Sequence, residues 1–131
     1  RGGVSPAGSG PLRGELWEFD LDPRRGREQR GLRPCLVVSS DAMNRSRFET
    51  VIVCPITTRR RPAFAWRPGL VPEDLRVEDD AWKPLPHWIM TDQIVTVDTR
   101  QRAVRHLATV ARLDRMKEVD DSLRAMLSLR P

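Results

Sequence analysis

The sequence has no apolar run of about 18 residues, the length a membrane-spanning helix requires, so no such helix and no membrane partner is expected. Its first residues also lack the apolar core of a secretory signal. Cysteine is scarce. The two present, Cys35 and Cys54, each sit inside an apolar, strand-like run and are expected as buried free thiols, which suits a reducing cytoplasm. Two thiols cannot supply the four ligands of a structural zinc site. Histidine is equally scarce, and His87 and His106 have no metal-ligand spacing. No metal and no cofactor are expected.

What is present fits one domain over residues 12–131 of the 131, preceded by a Gly/Pro/Ser-rich stretch, 1–11, expected to be a disordered leader or added remnant. The formal net charge of +5 favours a polyanion or an acidic protein as partner.

Leu16, Trp17 and Phe19 mark a β-rich run that Asp22-Pro23 cuts off. A second strand is expected near 35–39, then a short helical turn capped by Ser40 or Asp41, then a third strand over Val51–Ile56. Pro55 cannot donate to a ladder, so that end is expected at an edge or bulge, aiming the hydroxyls of Thr57 and Thr58 out of the sheet. Residues 59–88 are irregular, with five prolines, and their acidic run (Glu73, Asp74, Glu78, Asp79, Asp80) is expected to be a solvated turn. Strand character resumes from Ile89 to Val97, broken by Asp92-Gln93, and again over Ala103–Val110. Met116, Val119, Leu123 and Met126 recur at helical spacing after Asp114, the expected cap. The sum is a small, mostly antiparallel barrel with helical cover.

Five arginines (24, 25, 27, 30 and 33) crowd the turn after the first strand, and their mutual repulsion calls for an anion across it. Proline at 34 forces Arg33 into an extended conformation at the root of a strand, so its guanidinium leaves from a stiff position.

Arg13-Gly14-Glu15-Leu16-Trp17, Asp20-Leu21-Asp22-Pro23, the string Gly26-x-Glu28-Gln29-x-Gly31-x-Arg33-Pro34 and Val37-Val38-Ser39 together resemble the MazF/PemK/Kid toxins. Val51–Thr58 and Asp92-Gln93-Ile94-x-Thr96-Val97-Asp98 continue the likeness in order. The resemblance implies an SH3-like barrel homodimer. It also implies a metal-independent, sequence-selective endoribonuclease acting on single-stranded RNA by attack of the substrate's 2′-hydroxyl. The implied partner is an acidic, MazE-like antitoxin, through which operator DNA is bound indirectly.

Carried over by position, Arg33 and Thr57 match the family's catalytic pair, and Asp92 matches an acidic catalytic residue of some members. Arg27, Glu28, Gln29 and Arg30 in the first loop, with Thr58, Trp66 and Gln93, are the candidate RNA-binding residues, Trp66 as a stacking platform. Arg33 suits the developing phosphorane through its planar fork. Asp92 can accept a proton if burial raises its pKa. Some members carry a basic residue where Met90 stands, and many carry one at Val95. Two other readings remain: a non-catalytic toxin on the same barrel that poisons DNA gyrase, and a nucleic-acid-binding module that has lost cleavage. A ribonuclease built on His87 and His106 has little to support it.

Overall fold

The structure, a computed structural model, describes residues 10–22, 26 and 31–130. Most of the leader expected over 1–11 therefore lies outside the described residues. Among the described residues, eight strands and three helices follow one another. They are β1 (Glu15–Asp20), β2 (Leu32–Val37), α1 (Asp41–Asn44), β3 (Thr50–Thr57), β4 (Gly69–Leu70), β5 (Leu75–Val77), β6 (His87–Ile89), β7 (Val95–Asp98), α2 (Thr99–Arg102), β8 (Ala103–Val110) and α3 (Leu113–Leu127).

The strands form one antiparallel sheet in the order β4-β6-β3-β2-β1-β8-β5, with β7 also paired to β3. Its two outermost strands are β4 and β5, separated in sequence only by the 3₁₀ turn Pro72–Asp74, so the sheet must curl until its edges approach. The result is a nearly closed barrel with a C-terminal helix, the expected fold class. The irregular 59–88 stretch supplies both edge strands.

Alternation along the strands produces two apolar clusters. Leu16, Leu36, Cys54, Ile56 and Ile89 form one, and α3 covers it through Val119, Met116 and Leu123. Trp17, Phe19, Cys35, Val37, Val51 and Val53 form the other, against which Val95 packs. Val95 is thus used for packing.

Several expectations need correction. Of the two places expected for Pro55, an edge or a bulge, the edge is excluded: Pro55 pairs with Cys35 inside the ladder. Its missing N–H falls where β3 exchanges partners, from Val53↔Val95 in β7 to Ile56↔Ile89 in β6, so no ladder bond is lost there. Asp114 does not cap α3; the cap position is Arg112 and Asp114 lies in the first turn. Asp74 is no solvated residue. It is fully buried, bound by Arg115 at 2.8 Å and Arg112 at 3.4 Å, and accepts the Val71 N–H at 2.9 Å. Both arginines come from sequence some 40 positions away, at the entry to α3, and tie the helix to the barrel.

Candidate active site

The loop between β1 and β2 is pinched at its root. Leu21 N–H donates to the Gly31 carbonyl at 2.9 Å, and Gly31 N–H donates to Asp22 Oδ1 at 2.9 Å. Gly31 has φ +78°, a conformation that favours glycine, so the turn back into β2 depends on it. From α2, the Arg102 guanidinium donates to the Asp20 carbonyl at 2.9 Å and also reaches the carbonyl of Asp22. Arg33 therefore leaves a braced strand: it pairs opposite Phe19 within β2, exposed and extended, as Pro34 requires.

At the end of β3, Thr57 pairs with Trp88 of β6. Its Oγ1 accepts the Arg59 N–H at 3.1 Å, which leaves the hydroxyl proton for an outside acceptor. Arg33 and Thr57 open onto one cleft of about 590 Å³, whose walls also carry Thr58, Arg59, Arg61, Phe64, Arg67, Met90, Asp92 and Gln93. Four arginines face one carboxylate. The cleft is built for an anion.

That carboxylate is held fast. Arg67 donates to it twice, Nε to Oδ1 at 2.7 Å and Nη2 to Oδ2 at 2.7 Å, and the Trp66 indole N–H adds a third bond at 3.0 Å. Arg67 hydrogen bonding, reinforced by Trp66, pulls the Asp92 pKa from 3.8 down to about 2 despite partial burial. The sequence-based condition for a proton acceptor, a pKa raised by burial, is thus reversed, because a bidentate guanidinium outweighs desolvation. The Arg67 guanidinium also sits 4.2 Å above the Phe64 ring centre. Met90, buried beside the cleft, carries no charge, and Arg67 brings a cation to Asp92 from another segment.

The clamp is anchored from behind by α3. Ser122 Oγ lies 2.6 Å from the Trp66 carbonyl, to which it donates, and 2.8 Å from Thr91 Oγ1, from which it can then accept. Both Thr91 and Ser122 are buried; Thr91 directly precedes Asp92, and Trp66, whose carbonyl Ser122 holds, directly precedes Arg67.

A family model described as PemK-like, MazF-like toxin of type II toxin–antitoxin system matches residues 12–127. The chain belongs to that family. Among solved structures, this MazF-like toxin is similar to MazF from Deinococcus radiodurans, with 25% identity, 90% of this chain and 96% of that one covered, and a TM-score of 0.68. It is similar to a mycobacterial endoribonuclease in complex with its cognate antitoxin, at 26% identity, 92% and 98% coverage and a TM-score of 0.63. A chain of the Deinococcus radiodurans MazE–MazF complex is similar at 26% identity, 92% and 97% coverage and a TM-score of 0.65.

In the cleft of this MazF-like toxin, the expected residues Arg33, Thr57, Thr58, Asp92 and Gln93 come together. Arg27, Glu28, Gln29 and Arg30 lie outside the described residues. Trp66 is not part of the cleft wall; it is 37% exposed, and its indole N–H is given to Asp92. Sequence reasoning passed over Arg59, Arg61, Phe64 and Arg67. For Arg67 a signal was there: Arg67-Pro68 repeats the Arg33-Pro34 dipeptide, and the same proline constraint fixes both arginines.

The remaining reactive groups are occupied elsewhere. The His87 ring packs at a tilt against Trp82, 4.5 Å between centres; His87 bonds the Leu85 carbonyl at 2.7 Å, and its pKa is lowered by burial. His106 stacks on Trp17 at 5.2 Å and meets Thr109 Oγ1 at 2.9 Å. The two histidines thus have separate partners. Cys35 and Cys54 are buried and unlinked, as expected, and burial pushes the Cys54 thiol up to about 12. It is no nucleophile at neutral pH. Among the described residues, no three His, Cys, Asp or Glu side chains gather so as to hold a metal ion.

Proposed function

We propose that this toxin is a metal-independent, sequence-selective endoribonuclease that cuts single-stranded messenger RNA and so stops translation and growth. One juxtaposition supports it most: Arg33 and Thr57, from different strands, share a single arginine-walled cleft. An RNA phosphodiester carries its own nucleophile, so the protein need only orient the strand and stabilise charge. The 2′-hydroxyl attacks phosphorus and gives up its proton to solvent water, the P–O5′ bond breaks, and the leaving 5′-oxygen takes up a proton from water, so the products carry a 2′,3′-cyclic phosphate and a 5′-hydroxyl.

Arg33 gives paired N–H bonds to the phosphorane oxygens, and Thr57 adds a neutral donor whose oxygen is already oriented by Arg59. Asp92 stays ionised and keeps Arg67 in place; it does not take the proton. The partner reading follows from charge. An acidic, disordered antitoxin tail laid along the cleft of a homodimer neutralises its arginines and blocks RNA; that similar chains have been solved in complex with an antitoxin supports an antitoxin partner. Operator DNA is then bound by the complex.

The test is a substrate with one 2′-deoxynucleotide immediately 5′ of a mapped cut. Cleavage there stops while other sites are still cut. Continued cleavage at the deoxy position means another nucleophile, and the mechanism is wrong.

A further inference from the structure

Next to the cleft, sharing Arg61, Phe64 and Arg67 with it, lies a smaller hollow of about 150 Å³. It exists because Pro62 opens a 3₁₀ turn directly after the extended Arg61, swinging Phe64 back toward the sheet. Its floor includes Trp88. Trp88 pairs with Thr57 across the β3–β6 ladder, and directly paired residues project to the same face, so the hollow opens on the side of the cleft where Thr57 stands.

The lining has an unusual chemistry. Arg60, Arg61, Arg67 and Trp88 contribute N–H donors, and a proline, an alanine and Phe64 complete it, so no side chain in the wall carries an acceptor. Arg67 gives its Nε and Nη2 to Asp92. Arg60 and Arg61 are exposed and, among the described residues, neither pairs with a carboxylate. Two aromatic side chains beside unpaired guanidinium forks make a site for a flat, acceptor-rich group attached to an anion.

We propose that this hollow receives the base next to the scissile phosphate and selects keto bases, uracil or guanine, over amino bases. Uracil O4 and guanine O6 and N7 accept from Arg60 and Arg61; the exocyclic amines of cytosine and adenine meet those donors with more donors. The proposal rests on the ribonuclease reading for its substrate, but its chemistry can be read without cleavage.

Uridine and cytidine form the minimal pair, since they exchange an acceptor for a donor at one position. Twelve-residue 2′-O-methyl oligomers of each, which cannot be cut by 2′-hydroxyl attack, are titrated by fluorescence anisotropy at one salt concentration. Wild type binds the uridine oligomer about tenfold more tightly, the size of one good base contact. In Arg60→Lys/Arg61→Lys, which keeps the charge but loses the planar forks, the two affinities converge to within about twofold. Equal or tighter binding of cytidine by wild type overturns the proposal, as does an unchanged gap in the lysine variant. If the toxin cuts RNA yet shows no gap, the hollow fails and the ribonuclease stands. If it shows the gap and cuts nothing, the hollow stands alone.

Discussion

Replacing Arg67 by alanine removes both guanidinium bonds to Asp92 and leaves the carboxylate with Trp66 alone. The Arg67 side chain is 8% exposed and that of Asp92 22%, so the pair is screened less than a surface ion pair but is not fully buried. Exposed pairs contribute up to about 1 kcal/mol, and breaking a buried pair costs about 3–5 kcal/mol. The expected loss lies between these, about 1–2 kcal/mol at neutral pH, measured by urea unfolding.

The pH dependence supplies the sharper check. In the folded protein the Asp92 pKa is pulled below its ordinary 3.8, to about 2. A lowered carboxylate pKa stabilises the fold above its unfolded value, and the contribution fades as pH falls through the folded value. The stability difference between wild type and Arg67→Ala is therefore full above about pH 4 and shrinks steadily towards pH 2. In parallel, the Asp92 carboxyl titration followed by NMR moves up from about 2 in the variant, because the Arg67 hydrogen bonds are the largest cause of the lowering, while the Trp66 bond still favours the ionised form. Equal stability at pH 7, or a gap that widens on acidification, refutes the clamp.

Other outcomes follow from neighbouring contacts. Ser122→Ala removes the donor to the Trp66 carbonyl and leaves buried Thr91 without its Ser122 bond. A loss of about 1–3 kcal/mol is expected, seen as a fall of several degrees in Tm, and RNA cleavage drops along with the misplaced Arg67. Unchanged Tm and activity would mean that α3 does not brace the cleft. Asp74→Asn leaves Arg112 and Arg115 without their buried carboxylate. A destabilisation of about 3 kcal/mol in urea is expected, with cleavage per folded molecule unchanged; a neutral substitution contradicts the anchoring role. Cys54 in the folded protein resists thiol reagents at pH 8 and reacts only on unfolding, since its thiol titrates near 12; rapid native labelling contradicts its burial.

Residues governed by local rules were legible. Arg33 is extended because Pro34 leaves it little choice, and the spacing of Met116, Val119 and Leu123 announces the buried side of α3. Contacts between distant segments were not. Asp74 read as a solvated turn because nothing near it in sequence reveals that Arg112 and Arg115 arrive to pair with it. Asp92 read as a candidate base because burial was the only perturbation to weigh, whereas Arg67, 25 residues upstream, reverses the shift. Pro55 read as an edge or bulge residue because a change of partner along one strand leaves no trace in a single sequence. The cleft was half visible: its strand residues carried motifs, and its arginine wall came from the stretch with the least regular pattern.

The most direct measurement is cleavage of a long, 5′-labelled single-stranded RNA by wild type and by Arg33→Ala, both in excess chelator. Wild type is expected to give discrete bands ending in cyclic phosphate. The variant, folded by circular dichroism, should be slower by a factor of roughly 10²–10³, the loss of one oxyanion-type donor at about 3–4 kcal/mol. An Arg33→Ala protein that cuts as fast as its parent, or a wild type that binds several unrelated RNAs and cuts none, contradicts the assignment of this cleft as a ribonuclease centre.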